Sequence, residues 1–432
     1  MRKFGMGFEA VAFQSDLFFK ELVLAYDEIR ALTADQLEGS DELAMVQAII
    51  KNHTGGKEGG LNVELVLGYG GFEVDIPDIN RNNPLINSYI RHYFHDREGL
   101  AMVKNAEQMA RGSVNIQTGR VTGVFSEMKS RIYVSSALLL NKKYTSEEFA
   151  AATLHEVGHL MTYLEYISRS MTNNQVLAGV SRGLDGSYSV PEKETLLIAA
   201  RKAMKLSDLD VQELTKSNNK TVVETVIVNA AVKESISALG TNIYDANNWE
   251  QLADQYAGRY GAGRHLLTFL DKLSREAGHI SFRTTGKYIA MEALKTILLI
   301  LTIALAVSGG VATLLSMYTA FGWMIFTAVD GLGSTIYDRP GVRAKRIRNE
   351  MVENLKVKGL DKKAIEKILE DIAIVDEYLK AVNDRRQWFD VVWGFFSSSQ
   401  KKRLSAETLQ QELESLVAND LFVKAKELTI LA

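Results

Sequence analysis

Some segments of the chain repeat their hydrophobic residues with the period of a helix, and others with the period of a strand. Together they predict a mainly helical protein with a few strands. Helical spacing of apolar residues extends from Gln14 to Leu32 and resumes after the polar residues 40–42. Residues 63–67 alternate in the manner of a strand, and after the glycine-rich residues 68–71 the alternation returns over Phe72 to Ile76. These two alternating segments predict a β-hairpin.

A second pair of strands is predicted ahead of the longest helix. Val121 to Phe125 and Arg131 to Val134 have strand-like sequences and are joined by a short polar connection. Thr145 and Glu148 then have the spacing of a capping box, in which each side chain bonds to the backbone N–H of the other residue. The helix that begins there keeps an apolar rhythm as far as Leu164, with no proline to interrupt it.

These patterns predict an α+β fold that is predominantly helical, with a small antiparallel sheet packed on the long helix. We expect N-terminal helices over residues 1–53, a main domain over 54–285, an apolar helical hairpin over 286–332 and a C-terminal helical region over 333–432. The chain has only four prolines, which also favours helices.

The apolar hairpin is the one segment with a composition suited to a membrane. Thr296 to Val329 contains 34 residues and no charge, which is too long for one span and about right for two short ones. Lysines precede it and arginines follow it, so both ends are expected on the cytoplasmic side. The protein would then be membrane-associated, with its main domain cytoplasmic. Alternatively, the segment is a core hairpin or an oligomer contact, and the protein is cytoplasmic or part of a virion.

Composition excludes several classes of chemistry. The absence of cysteine excludes disulfides, thiolate zinc sites and cysteine nucleophiles. A net charge of -3 gives no reason to expect a nucleic-acid partner. No apolar run follows the basic N-terminus, so no secretory signal peptide is expected.

The long helix carries the pattern H-E-x-x-H at His155, Glu156 and His159. Residues four apart lie on one helix face, so the two imidazoles can bind one metal ion together. Glu156 then lies beside the metal, where it can take a proton from water. The alternative is a buried helix with two hydrogen-bonded core histidines, but it would leave Glu156 buried without a role.

A catalytic zinc site needs a third protein ligand and one open position. A histidine six residues beyond His159 is ruled out, because position 165 is glutamate. The best candidate is Glu250, with Asn248 as a helix N-cap and Asp254 one turn further on. Asp254 could then bond to the outer nitrogen of a ligating histidine. The alternative is an ordinary acidic pair at the solvated start of a helix.

The residues 131–139 and 146–159, with the later E-x-x-x-D of Glu250 and Asp254, resemble the M48 metallopeptidases. This gluzincin family includes the CAAX prenyl protease and the membrane protease HtpX. The resemblance covers roughly residues 120–165 and 245–275 and implies a zincin-type active-site helix. It further implies Zn²⁺ as the cofactor, with the ligands and the general base at His155, His159, Glu250 and Glu156, and with Asp254 orienting a ligand.

The resemblance also implies how a substrate would be held. The predicted strand around Val121, Gly123 and Val124 would be the sheet edge that takes an extended peptide by strand addition. Many family members have a His-Pro pair that steadies the oxyanion, and the nearest match here is Arg339, before a proline. Arg339 either takes that role or is a surface arginine. Family members commonly place membrane helices before the motif or between its halves, whereas here the apolar segment follows Glu250.

The sequence therefore predicts a zinc-dependent endopeptidase that acts on a protein or peptide, with membrane attachment and oligomerisation both possible. The rival hypothesis is a structural or membrane-associated protein, such as a virion or envelope component, that keeps a peptidase-like fold without turnover. A weaker H-x-x-H pattern at His92 and His95 has no further ligand at hand, so a partly exposed helix end is expected there.

Overall fold

The computed structural model describes residues 16–55, 59–68, 72–75, 98–106, 112–116, 118–185, 189–239, 246–276, 340–356 and 359–383. Within these ranges the protein is predominantly helical, with one three-stranded mixed sheet and one two-stranded ribbon. The chain divides into two compact units, Met1–Gly263 and Arg264–Ala432.

Some predictions fall on other parts of the chain. The apolar hairpin, Arg339, His92 and His95 lie outside the described residues. Among the described residues, no helix combines the length and the apolar character that crossing a bilayer requires.

The first unit begins with the two predicted helical stretches, which form α1 (Leu17–Ala31), α2 (Ala34–Leu37) and α3 (Asp41–Thr54). α1 buries one face at helical spacing, and its largest side chains there are fully enclosed. Tyr26 on that face hydrogen-bonds Thr153 of the long helix, with 2.6 Å between the two hydroxyl oxygens. The buried stripe is what directs α1 against the long helix.

The main sheet contains β1 (Asn62–Gly68), β2 (Phe72–Asp75) and β5 (Lys129–Ser135) in the order β1-β5-β2. β5 is parallel to β1 and antiparallel to β2. The predicted hairpin of β1 with β2 is therefore wrong, and the sheet is mixed rather than antiparallel. β5 lies at the centre of the sheet and pairs with one strand on each side. Its alternate residues Ile132 and Val134 are fully buried, as expected for a central strand.

The predicted strand from Val121 to Phe125 is also wrong. Its first residue ends the short strand β4 (Arg120–Val121), which pairs with β3 (Val114–Asn115). Gly123 has a φ of +63°, and a 3₁₀-helix over Gly123–Glu127 follows. A left-handed glycine ends the extended run. Val121, Val124 and Phe125 have a strand-like sequence because they are buried in the core.

The long helix is the centre of the first unit. After the short α5 (Ser136–Leu139), α6 spans Ser146–Asp185, which is about 60 Å at 1.5 Å per residue. The predicted capping box is confirmed, because Thr145 N–H donates to Glu148 Oε2 at 2.9 Å and Glu148 N–H donates to Thr145 Oγ1 at 3.3 Å. All residues 150–162 are buried, so this part of α6 is enclosed by other elements.

The far end of α6 belongs to a second hydrophobic cluster with α4 (Gly99–Lys104), α7 (Val190–Ala203), α8 (Val211–Lys216) and α9 (Lys220–Leu239). Glycines let α4 cross α6 closely. A Cβ at Gly179 would lie 2.8 Å from the carbonyl oxygen of Gly99, nearer than side chains are found. The first unit ends with α10 (Ala246–Arg259), which packs along α6.

The described part of the second unit contains α11 (Gly263–Glu276), α12 (Pro340–Leu355) and α13 (Lys362–Asn383). α12 and α13 pack together, and Arg348 forms a two-pronged ion pair with Asp376. Arg264 on α11 pairs with Asp371 on α13 at 3.0 Å. The helices expected in the C-terminal third are thus present within the described residues.

Candidate metal centre

His155 and His159 lie one turn apart on the buried part of α6, as the motif predicts. Their Nε2 atoms are 3.1 Å apart, and both rings are almost fully enclosed. Neutral imidazole nitrogens are common metal ligands, and two that face each other at this distance could bind one cation together.

Glu250 on α10 completes the cluster. Its Oε2 atom lies 3.4 Å from His155 Nε2, and its Oε1 atom lies 3.5 Å from His159 Nε2. Ligand atoms around a tetrahedral zinc ion, with bonds of about 2.0–2.1 Å, are separated by about 3.3–3.4 Å. The observed separations of 3.1, 3.4 and 3.5 Å lie near that value, with a different carboxylate oxygen facing each imidazole, so the residues present could hold a divalent metal. The Glu250 side chain keeps 15% of its surface exposed.

The same helix orients one of the ligands. Asp254 Oδ1 lies 3.0 Å from His155 Nδ1, one turn beyond Glu250. A carboxylate at Nδ1 holds the proton on that nitrogen and turns the Nε2 lone pair toward the metal position. The helix begins at Ala246, so the predicted N-cap at Asn248 is wrong, but the spacing of Glu250 and Asp254 is unaffected.

His159 is held by a different kind of contact. Its Nδ1 has no hydrogen-bond partner within the described part of the chain. Instead, the ring of Trp249 stacks on it, with centroids 6.3 Å apart and planes at 27°. Burial lowers the pKa of His159, because charging an enclosed imidazole is costly, although Glu250 acts in the opposite direction. The neutral form that binds a metal is therefore favoured.

Glu156 faces the edge of the main sheet. It is 9% exposed, and its Oε2 accepts a hydrogen bond from the backbone N–H of Val74 at 3.1 Å. That N–H points away from β5, since it is used by Glu156 rather than by the ladder. The edge of β2 opposite β5 therefore runs beside the Glu156 carboxylate, and no strand among the described residues pairs with it.

A glycine inside the motif allows α10 to come close enough. A Cβ at Gly158 would lie 2.8 Å from Ala253 Cα and 2.8 Å from Tyr256 Cβ. Real Cβ atoms do not approach neighbours so closely, so a larger residue would push the two helices apart. Gly158 thus lets Glu250 and Asp254 reach the histidines.

A buried polar contact braces the same two helices further along. Ile116, just after β3, donates its N–H to Glu165 of α6 at 2.7 Å and accepts at its carbonyl from Arg259 of α10. Glu165 is also paired with Arg169 at 2.8 Å. Glu165 of α6 and Arg259 of α10 thus both hydrogen-bond the backbone of Ile116, and this shared contact helps to fix the spacing of the two helices.

The structure brings four of the predicted site residues together, namely His155, His159, Glu250 and Asp254. Glu156 follows His155 on α6 and is hydrogen-bonded to Val74. Val121, Gly123 and Val124 do not form one extended edge, because Val121 ends β4 and the other two lie in the 3₁₀-helix. The strand that reaches Glu156 is β2, through the N–H of Val74. The alternation of residues 72–76 identified that strand, but nothing local showed which sheet edge it would occupy.

Comparisons of the chain with protein-family models, curated proteins and solved structures find no match. The class of site is therefore defined by its own geometry: a buried group of two histidines and one glutamate that could hold a metal ion.

Proposed function

We propose that the protein is a zinc-dependent endopeptidase of the M48-like gluzincin type. The observation that carries the proposal is the convergence of His155, His159 and Glu250, whose facing nitrogen and oxygen atoms lie 3.1–3.5 Å apart. Glu156 is the next residue after His155 on the same helix. The order of β5, the short α5, the capped α6 and then Glu250 with Asp254 supports the family assignment.

The donor set suits zinc, since two imidazoles and one carboxylate are the protein ligands of a common class of catalytic zinc site. Zinc held by these three residues would supply a Lewis acid that polarises a peptide carbonyl and makes water more acidic. Glu156 takes the proton of the attacking water and later delivers it to the leaving amine. Asp254 keeps His155 in the tautomer that binds metal.

The substrate is held along β2. An extended peptide can add to an exposed sheet edge through main-chain hydrogen bonds, without a requirement for particular side chains. The outer edge of β2 runs past Glu156, so a strand bound there presents its peptide bonds to the carboxylate. This edge replaces the strand at Val121 to Phe125 that the sequence suggested.

The test is the variant Glu156→Gln, which keeps the size of the side chain and removes the base. We expect an unchanged zinc content by elemental analysis and a loss of peptide cleavage of about 10²–10⁴-fold, the usual contribution of general-base catalysis. Glu64→Gln is the matched control, because Glu64 is an exposed carboxylate on β1 that pairs only at the surface with Arg131.

Three outcomes separate the hypotheses. Cleavage by the wild type that is lost in Glu156→Gln and kept in Glu64→Gln supports the peptidase. Equal cleavage by wild type and Glu156→Gln contradicts the mechanism. Tight zinc binding that disappears in His155→Ala, without turnover of any peptide by the wild type, indicates the structural protein instead.

A further inference from the structure

We propose that Trp249 and Tyr163 form an aromatic wall that binds an apolar or aromatic side chain of the substrate beside the metal centre. The proposal rests on the peptidase function and names the side-chain preference of that site. The two residues come from the two helices that supply the metal ligands.

The position of the wall is fixed by the ligands themselves. Trp249 directly precedes Glu250, and its ring stacks on His159. Tyr163 lies one helical turn after His159, and its ring centroid is 5.9 Å from that of Trp249, with planes at 47°. A side chain bound against these rings would belong to a residue close to the cleaved bond.

Both aromatic residues keep part of their surface accessible close to the metal-binding cluster. All thirteen residues of α6 from 150 to 162 are buried, and Tyr163 is the first after them to keep part of its surface accessible. Trp249 is likewise partly exposed, next to the 15% exposed side chain of Glu250. Aromatic side chains that are partly accessible next to a few polar groups are typical of ligand pockets.

The chemistry of the rings selects the occupant. Neither aromatic face carries a charge, and such faces favour other rings and aliphatic groups through stacking and loss of water contact. A small or charged side chain gains little on this surface. The wall therefore predicts a preference for phenylalanine-like or leucine-like residues next to the scissile bond.

A different role for Trp249 would be only to hold His159 in place. That role predicts a change in metal affinity in a Trp249 variant, but no discrimination between ligands that differ in one side chain. The two roles are therefore separated by a ratio of affinities in which the metal contribution cancels.

The experiment uses the zinc-loaded full chain and two succinyl hydroxamates that are identical except for a methyl or a benzyl side chain beside the chelating group. Calorimetry gives the dissociation constant of each, so the measurement does not depend on turnover. We expect the wild type to bind the benzyl compound about tenfold more tightly or better, within the range that hydrophobic pockets achieve.

In Trp249→Ala and Tyr163→Ala the ratio should fall toward one, and Trp249→Phe should retain most of it. Ile198→Ala removes an apolar side chain that is 45% exposed on α7 and should leave the ratio unchanged. Equal binding of the two compounds by the wild type, or an unchanged ratio in both alanine variants, overturns the aromatic wall but not the peptidase. Failure of both compounds to bind the zinc-loaded protein overturns the peptidase, and the wall with it.

Discussion

At the scale of single residues, the two histidines of the cluster are held by unlike means. His155 has a carboxylate at its outer nitrogen, whereas His159 is covered by an indole ring. A hydrogen bond fixes both the rotation and the tautomer of an imidazole, but stacking fixes only the plane of the ring. The angular position of His159 therefore depends more on the packing of α6 and α10 than that of His155 does.

Val74 offers a test of the sheet edge with a single backbone atom. In Val74→Pro the N–H that Glu156 accepts is removed, while the pairing with β5 does not use that N–H and is kept. Hydrogen bonds to charged groups contribute about 1.5–3 kcal/mol, so we expect kcat/KM for peptide cleavage to fall by about 10- to 100-fold.

Val74→Ala retains the backbone donor and is the matched control, with activity expected close to that of the wild type. Thermal unfolding should show that Val74→Pro is still folded. Full activity in a folded Val74→Pro protein would show that this N–H neither orients Glu156 nor contributes to substrate binding.

At the scale of elements, local chemistry was readable from the sequence and strand pairing was not. The capping box of Thr145 and Glu148 involves residues three apart, so the start of α6 could be located within one turn. The position of β5 between β1 and β2 depends on a contact over more than fifty residues, which no short pattern contains. The hairpin prediction failed for that reason.

The candidate site was predicted better than the sheet, because its residues form pairs that lie four positions apart on a helix. His155 and His159 share a face because they are four apart, and Glu250 and Asp254 share a face for the same reason. The brace at Ile116 was missed, because its contacts with Glu165 and Arg259 use a backbone N–H and a backbone carbonyl, which every residue type except proline offers.

Gly158→Ala tests whether the approach of α10 to α6 controls the metal centre. The added methyl group would meet Ala253 and Tyr256 at 2.8 Å, so the helices must separate and draw Glu250 away from the histidines. We expect zinc affinity to fall by about tenfold or more, together with a loss of about 1–3 kcal/mol in the free energy of unfolding, as for other overpacked sites. A competition titration with a fluorescent chelator measures the affinity.

Gly179→Ala is the control on the same helix. Its methyl group would meet Gly99 and Val103 at the same separation of 2.8 Å, but at the crossing of α6 with α4. It should destabilise the protein to a similar degree and leave zinc affinity unchanged. If both variants lost zinc equally, general loss of stability rather than the local helix spacing would be the cause.

At the scale of the whole molecule, His155, His159 and Glu250 all belong to the first unit, and each comes from a helix that packs within it. A metal that binds only the folded state adds to its stability by mass action. At a free zinc concentration about a thousandfold above the dissociation constant, the gain is about 4 kcal/mol.

Chelator treatment should therefore lower the unfolding temperature of the zinc-loaded protein, and added zinc should restore it. Differential scanning calorimetry at matched protein concentration measures the shift. His155→Ala lacks one ligand and should respond to neither addition. If chelator did not change the unfolding temperature of zinc-saturated wild type, the assignment of His155, His159 and Glu250 as a metal site would be contradicted.

The cluster offers two imidazole nitrogens and a carboxylate, in a chain without cysteine. This donor set determines which metal ions would compete for the site in the cell. Sites of this kind follow the Irving–Williams series, in which copper(II) binds more strongly than zinc. The cluster itself has no sulfur ligand that would change that order. Occupancy by zinc would thus depend on the supply of each ion, and an excess of copper would displace zinc and inhibit the protein. Thiol oxidants would not inhibit it, because the chain has no cysteine.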